Sequence, residues 1–235
     1  MKIYLLSGAG LSAPSGIPTY RDDGLWDEVA IEEVATHDAW LRNPQKVIAF
    51  FDKKRQELAC YKPNAAHYYF AKLQNCVHLT QNVDDLCERA GQETVHLHGK
   101  LTEVRCDKCK SIWDIGYTPQ PHLCHFCGSK SVRPNVILFG EVAPNYRYLY
   151  TTKADVFIAV GTSGAVIDIA DIAQQFPVSI LIDPKRRKRT TMFGEFDTYI
   201  DEYFSYFIQE DIVTAIDTLD ILLKEIDGGT QTATK

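Results

Sequence analysis

The chain has 235 residues, which is enough for one good-sized hydrophobic core or for a core with a smaller satellite. A hydrophobic share of 45% and a charged share of 24% are ordinary for a globular protein and exclude disorder or low complexity as its main state. The net charge of −6 argues against a stable nucleic-acid partner, and because no run reaches the ~18 apolar residues of a membrane helix, we expect a cytoplasmic protein that binds no membrane.

Short apolar runs predict buried strands in the first half of the chain, and helical periodicity fills the segments between them. The predicted strands are residues 2–6, 76–80 and 95–99. The predicted helices are residues 31–58, in which Asn43 caps a helix at Pro44, a segment that starts after Pro63, and residues 84–90, which Gly91 ends.

The second half of the chain resumes the same alternation after a cysteine-rich segment. The predicted strands are residues 136–139, 155–160 and 178–182, followed by a closing helix over residues 212–226 and a disordered polar tail over residues 228–235. Apolar strands that alternate with helices predict an α/β fold in which helices cover both faces of a mostly parallel sheet. Ligands of such folds bind beyond the carboxyl ends of the strands.

The seven cysteines are divided between a metal-type cluster and scattered single residues. Two C-x-x-C pairs can present four thiolates to one tetrahedral zinc ion, which leaves no open position for catalysis. The sequence therefore predicts a structural zinc site, with a redox pair or a metal-free knuckle as the alternative. The other three cysteines are expected to be buried thiols. The predicted zinc ligands are Cys106, Cys109, Cys124 and Cys127.

Small or polar residues follow several of the predicted strands. The turn at Gly8, Ala9 and Gly10 would let backbone N–H groups approach phosphate oxygens, but it lacks the third glycine of a dinucleotide fingerprint, so a plain tight turn stays open. Asp183 ends a strand and could accept hydrogen bonds from a ribose diol, or could be solvated. The basic run over residues 185–189 is either a solvated loop or a binding segment.

A second polar group follows the strands at residues 76–80 and 95–99. Gln81, Asn82 and Asp84 would form the floor of a polar pocket. His96 and His98 would point to one face of their strand, where a histidine can act as a general base near neutral pH. Taken singly, residues of these types more often have a structural role.

Taken together, these motifs resemble the sirtuin family, the NAD-dependent protein-lysine deacylases, in the bacterial subgroup related to the succinyl and malonyl deacylases. They occur in family order and reach from near the start of the chain to about Asp183. Apart from the cysteine pairs, the matching stretches are GAGLSAPSGIPTYR at 8–21, TQNVDDLCERAG at 80–91, HLHG at 96–99, RPNVILFGE at 133–141 and VGTSG at 160–164.

The resemblance implies a Rossmann-like NAD-binding domain of residues 1–26, 76–105 and 133–227. A smaller domain would combine a helical module over residues 27–75 with a zinc module over residues 106–132. NAD would be a co-substrate, and the acyl-lysine protein or peptide would lie in the cleft between the domains. In the family's reaction, His98 is the base that accepts a proton from the ribose hydroxyls, and the products are nicotinamide, free lysine and an acylated ADP-ribose.

The resemblance also assigns roles residue by residue. His98 and Asn82 would be catalytic. The residues implied in cofactor binding are Gly8, Ala9, Gly10, Ser12, Tyr20, Arg21, Trp26, Gln81, Asn82, Val83, Asp84, Gly161, Thr162, Ser163 and Asp183. The residues implied in substrate binding are Phe51, Lys54, Val136, Phe139, Gly140 and Glu141.

One departure from the subgroup concerns the acyl group. The acidic-acyl deacylases carry a Tyr-x-x-Arg pair that grips the acyl carboxylate, and the aligned positions here are Phe51 and Lys54. Phenylalanine lacks the hydroxyl donor, and lysine lacks the two-pronged guanidinium. We therefore predict deacetylation with weakened desuccinylation, unless Phe51 is plain core and Lys54 is a solvated charge. A sirtuin-fold ADP-ribosyltransferase is the alternative function.

Overall fold

The computed structural model describes residues 1–19, 30–191 and 194–232, so the contacts expected of Tyr20, Arg21 and Trp26 lie outside the described residues. The strands within these ranges are β1 (Ile3–Ser7), β2 (Cys76–Thr80), β3 (Val95–His96), β4 (Gly99–Cys106), β5 (Ile112–Asp114), β6 (Val132–Val136), β7 (Val156–Val160), β8 (Val178–Ile182), β9 (Lys188–Thr191), β10 (Gly194–Tyr199) and β11 (Tyr206–Ile208). The helices are α1 (Ile31–Val34), α2 (His37–Arg42), α3 (Pro44–Leu58), α4 (Ala65–Lys72), α5 (Leu86–Arg89), α6 (Arg147–Thr151), α7 (Ile169–Ala173) and α8 (Ile216–Thr232).

Six parallel strands form the main sheet in the order β11-β8-β7-β1-β2-β3. Every residue of β1 and of β7 is buried, as expected for strands covered on both faces. From β1 the chain first builds outward through β2 and β3 and later returns to place β7 on the other side of β1. The predicted α/β fold is therefore confirmed, and the strand order reverses at the β1–β7 pair, where open α/β sheets bind ligands.

A second, antiparallel sheet has the order β5-β4-β6 and carries the first zinc-type cysteine at the end of β4. Helix α3 packs on it through an apolar cluster that includes Val47, Phe51 and Leu101. The predicted strand over residues 136–139 is displaced, because β6 ends at Val136. The backbone of Phe139 instead bonds across to Ala35 and His37, which joins the sheet to the helices.

The predicted helix over residues 31–58 is three helices, because polar caps restart it twice. The Thr36 side chain accepts a hydrogen bond from the Ala39 amide at the start of α2. Asn43 accepts one from Lys46 at the start of α3, with Pro44 in its first turn as predicted. Each cap satisfies amides that a continuous helix would satisfy internally.

The closing helix begins later and ends later than predicted. Asp211 binds the amides of Val213 and Thr214 in a turn that delays its start to Ile216. Disorder predicted from residue 228 is wrong for residues 228–232, which continue the helix, while residues 233–235 lie outside the described residues. Buried Leu219 and Leu223 anchor this helix on the main sheet and let it propagate through Gly228.

Among the described helices, none has the length and apolar character needed to cross a membrane. Separate apolar clusters lie on the two faces of the main sheet, under α3, and inside the zinc-type segment. This arrangement is compatible with the predicted domain boundaries, which stay a prediction.

Candidate active site

A cleft of ≈ 830 Å³ opens at the carboxyl ends of the main-sheet strands, within the roughly 300–1,000 Å³ typical of cofactor and ligand sites. One side, here called the strand-end wall, consists of residues 8–10, 81–83 and 161–163 with His98 and Asp183. The other side, here called the apolar wall, consists of Ile31, Ala35, Phe51, Val136, Leu138 and Phe139. Gly140 and Glu141 also line the cleft.

The two glycine turns of the strand-end wall touch each other. The Gly10 amide donates to the Gly161 carbonyl at 2.9 Å, and a Cβ on Gly10 would lie 2.5 Å from the Gly161 Cα. Gly161 also has φ +59°, in the left-handed region that favours glycine. The resulting floor carries no bulky side chain, which suits the close approach of an extended, phosphate-bearing dinucleotide.

Asn82 is fixed from behind by a buried chain of hydrogen bonds. Its Nδ2 donates to Ser12 Oγ at 3.1 Å, and that hydroxyl donates to Asp84 Oδ2 at 2.9 Å. Burial raises the pKa of Asp84, against the opposing bonds from Ser12 and the Leu86 amide. Ser12 and Asp84, expected as cofactor contacts, are not among the described residues that line the cleft. Ser12 contacts the Asn82 side chain, and Asp84 contacts Ser12.

His98 faces the cleft with both ring nitrogens engaged. Nδ1 lies 2.8 Å from the Gln81 carbonyl oxygen, and Nε2 lies 2.7 Å from the Tyr146 hydroxyl. Burial lowers the pKa of His98 below its usual 6.5, although the Gln81 carbonyl acts in the opposite direction. The ring is therefore held neutral near physiological pH, the state that a general base needs.

His96 lies in a different environment from His98. Its Nδ1 contacts the Asn82 carbonyl and its Nε2 lies 2.7 Å from Glu88. Burial alone would lower the pKa of His96, but the Glu88 carboxylate outweighs it and raises the pKa. His96 is thus part of an ion pair behind the strand-end wall, not a residue that lines the cleft.

On the apolar wall, Phe51 is buried and lines the cleft, but Lys54 does not. The Lys54 ammonium lies 3.0 Å from Glu57, one turn further along α3. Glu141 receives the Arg133 guanidinium at 2.7 Å and the Arg105 guanidinium at 3.2 Å. Burial would raise the pKa of Glu141, but the Leu138 amide and the guanidinium groups lower it, so the carboxylate stays charged and tethers residues 138–141.

At the far end of the cleft, the Asp183 carboxylate accepts the Lys185 amide at 2.8 Å and pairs with Arg187 Nε at 3.3 Å. Lys185 and Arg187 both line the cleft. Other members of the basic run are paired elsewhere, Arg186 with Asp201 and Arg189 with Asp168. The run is therefore neither a fully solvated loop nor a free basic patch.

The four predicted zinc ligands come together at the end of β4. Their sulfurs all lie within 4.8 Å of one another, and two Sγ–Sγ distances are 3.7 Å. Tetrahedral zinc with Zn–S bonds of about 2.3 Å separates its sulfurs by about 3.8 Å, so the cluster fits a structural zinc ion. Of the other cysteines, Cys87 is buried and Cys76 partly buried, but Cys60 is exposed, contrary to expectation.

Several cleft residues were not predicted from the sequence. Tyr146 contacts His98 from 48 positions away, and no local pattern marks it. Ile31 and Ala35 enter the apolar wall from α1 and the turn after it, in a segment assigned only to a continuous helix. Ala13, Pro14, Thr19 and Ala143 also line the cleft.

Comparison with known proteins agrees with this geometry. The model of the Sir2 family matches residues 8–168. An NAD-dependent protein deacylase of Campylobacter jejuni is 44% identical over 227 residues, covering 92% of this chain and 93% of the relative. A Sir2 homologue–ADP-ribose complex superposes with a TM-score of 0.80 at 32% identity, covering 97% of this chain and 93% of that one. A Sir2 homologue–NAD complex gives 0.77 at 32% identity, with 96% and 90% covered. The chain belongs to the Sir2 family.

Proposed function

We propose that this protein removes acyl groups from lysine side chains of proteins or peptides and consumes NAD as a co-substrate. The observation that carries the proposal is the neutral His98 ring, which faces a cleft bounded by a strand-end wall of small and polar residues and by an apolar wall. Relatives named NAD-dependent protein deacylases support it, since they align over most of the chain.

NAD, when bound, supplies a ribose whose anomeric carbon becomes electrophilic as nicotinamide departs, together with hydroxyls that can be deprotonated. The glycine turns of the strand-end wall would hold its phosphates. Asp183 would accept hydrogen bonds from the ribose at the other end of the cofactor. Gln81 and Asn82 would orient the reacting ribose, and Gln81 is itself fixed by donating to the Thr162 hydroxyl at 2.8 Å.

His98 would take a proton from a ribose hydroxyl at Nε2, while the Gln81 carbonyl keeps the Nδ1 proton in place. The apolar wall would exclude water, so that the acyl group meets the ribose and not solvent. The acyl-lysine peptide would lie across residues 139–141 and 164–166 and pair with their backbone. Phe139 and Val166 are half exposed there, and Phe139 is held extended by Ala35 and His37.

We also propose that acetyl groups are removed faster than succinyl groups. Phe51 offers no hydroxyl, and the Lys54 ammonium is paired with Glu57. No described side chain of the apolar wall is therefore placed to bind the free carboxylate of a succinyl group. Turnover of acetyl- and succinyl-lysine peptides of one sequence decides this, and equal or better succinyl turnover would contradict it. Lys54→Arg combined with Phe51→Tyr should raise succinyl turnover relative to acetyl turnover, whereas Lys53→Arg, on the exposed side of α3, is the matched control.

The proposed activity is tested by mass spectrometry of an acyl-lysine peptide library incubated with and without NAD. We expect loss of the acyl group only with NAD, with one nicotinamide and one acylated ADP-ribose formed per peptide. Labelled NAD separates the alternative, because transfer of ADP-ribose onto protein without loss of the acyl group would show an ADP-ribosyltransferase instead.

A further inference from the structure

The hydrogen bonds of His98 define which of its nitrogens carries the proton. The Gln81 carbonyl oxygen, 2.8 Å from Nδ1, can only accept, so Nδ1 carries the hydrogen. Nε2 is then the lone-pair nitrogen, and the Tyr146 hydroxyl at 2.7 Å donates to it. Tyr146 therefore occupies the one atom of His98 that can remove a proton from a substrate.

The Tyr146 hydroxyl is placed there by a docked turn. The neighbouring Asn145 donates from Nδ2 to the His96 carbonyl at 2.8 Å. Residues 145 and 146 therefore hydrogen-bond to the segment of His96 and His98 at two points. The Tyr146 ring packs against the main-sheet core together with Leu149 of α6. The His98 and Tyr146 ring centroids are 5.7 Å apart at an interplanar angle of 52°.

Nothing else among the described residues competes for this nitrogen. His98 is ion-paired with no charged side chain of the described chain, since His96 turns to Glu88 and Glu141 is paired with Arg133. Burial, and the neighbouring Tyr150, raise the pKa of Tyr146, so its hydroxyl keeps the proton that it donates. Both His98 and Tyr146 line the cleft.

We propose that Tyr146 is a positioning residue whose hydroxyl holds the His98 Nε2 lone pair until a dinucleotide ribose hydroxyl replaces it. This inference rests on the proposed function, because it assumes that the ribose approaches Nε2. Before binding, the contact keeps the ring neutral and aimed into the cleft. On binding, the Tyr146–His98 hydrogen bond is exchanged for a ribose–His98 bond.

The test compares Tyr146→Phe with Tyr150→Phe, an exposed tyrosine of α6, the helix that follows Tyr146, with no hydrogen bond to His98. In the NAD-free protein, the pKa of His98 is followed by NMR of its ring, assigned with His98→Ala. A hydrogen bond donated to the lone pair favours the neutral ring, so its loss in Tyr146→Phe should raise this pKa by about 0.4–1 unit. Affinity for NAD should rise about two- to tenfold, because no hydrogen bond to Tyr146 has to be broken, with kcat changed less than about threefold.

Tyr150→Phe should change neither quantity. An unchanged His98 pKa and NAD affinity in Tyr146→Phe would overturn the proposal, and so would a fall in kcat of more than about tenfold at unchanged affinity, which would make Tyr146 a proton relay. If the wild-type protein deacylates no peptide, the proposed function fails. The pKa and the NAD affinity are still measured in that case and test the role of Tyr146 separately.

Discussion

The two walls of the cleft are built in different ways. The strand-end wall consists of backbone turns and short polar segments that directly follow β1, β2 and β7. The apolar wall consists of side chains from α1, α3, β6 and the segment after it, brought together by packing of helices on the zinc-bearing sheet. The position of the strand-end wall therefore depends on the parallel sheet, and the position of the apolar wall depends on how the helices pack on the zinc-bearing sheet.

One fully buried basic residue lies behind each wall, and the two differ in charge. Behind the strand-end wall lies His78, which contacts Ser7 Oγ and Gln92 Oε1, each at 2.8 Å. Behind the apolar wall lies fully buried Arg55, which pairs with Asp52 and donates to the Leu101 carbonyl at 2.7 Å. The neutral imidazole of His78 supports one wall and the ion pair of Arg55 with Asp52 supports the other, so these two supports should fail under different perturbations.

The largest expected effect comes from the metal site. Structural zinc contributes roughly 10–16 kcal/mol to the folding of small metal-bound domains. Cys106→Ser, at a buried ligand, should abolish zinc binding and peptide turnover, while NAD binding by the strand-end wall falls less. Cys60→Ser, at an exposed cysteine outside the cluster, is the control and should change nothing. Wild-type turnover in a zinc-free Cys106→Ser protein would show that the walls do not differ in this way.

The next effect comes from Arg55. Removing one partner of a buried ion pair costs about 3–5 kcal/mol, because the other partner is left uncompensated. Arg55→Met should therefore lower the free energy of unfolding by that amount in urea titrations. Adding Asp52→Asn, which removes the stranded charge and keeps an acceptor for the Gln120 amide, should recover part of the loss. A loss below about 1 kcal/mol in Arg55→Met would remove Arg55 as an anchor.

The smallest expected effect per residue is a loss of folding stability at acidic pH. Burial lowers the pKa of both His67 and His78 to about 4, below the usual 6.5. The unfolded chain then binds more protons than the folded one between these values, so stability falls as the pH drops from about 6.5 to about 4. Between pH 7 and pH 5, each of the two histidines should lower the free energy of unfolding by about 2 kcal/mol.

His78→Gln should weaken this pH dependence of the unfolding free energy, because it removes one of the two buried imidazoles. Equal pH dependence in His78→Gln and the wild type would contradict the account of a histidine buried in its neutral form.

The difference between the walls also explains how far the sequence predicts the structure. Strands such as β1 and β7 follow from continuous apolar runs, and the turns beyond them carry the site residues with them. The predicted strand over residues 95–99 is divided, because β3 ends at His96 and Gly99 begins β4. Gly99 has φ +80°, and a Cβ there would lie 2.0 Å from the Asn135 carbonyl oxygen. That contact joins residues far apart in the chain.

The unpredicted parts depend on such long-range or charge-based contacts. Strands β9 and β10 pair with each other, and Lys188 of β9 forms ion pairs with Glu195 and Asp197 of β10. The basic run therefore cannot be predicted as a strand without knowing that these acidic residues lie opposite it. The Lys54 ammonium pairs with Glu57 and does not reach the cleft, an outcome that the spacing of the sequence alone leaves open. Tyr146 reaches His98 through the docking of a separate turn.

We propose His98, held neutral in the cleft, as the base of an NAD-dependent deacylation. The most direct measurement is kcat/KM on an acetyl-lysine peptide for the wild type and for His98→Ala, with NAD affinity of both proteins measured in parallel. We predict a loss of at least about 10²-fold in kcat/KM with NAD affinity changed only a few-fold. Comparable turnover by the two proteins, or wild-type turnover that needs no NAD, would contradict the account.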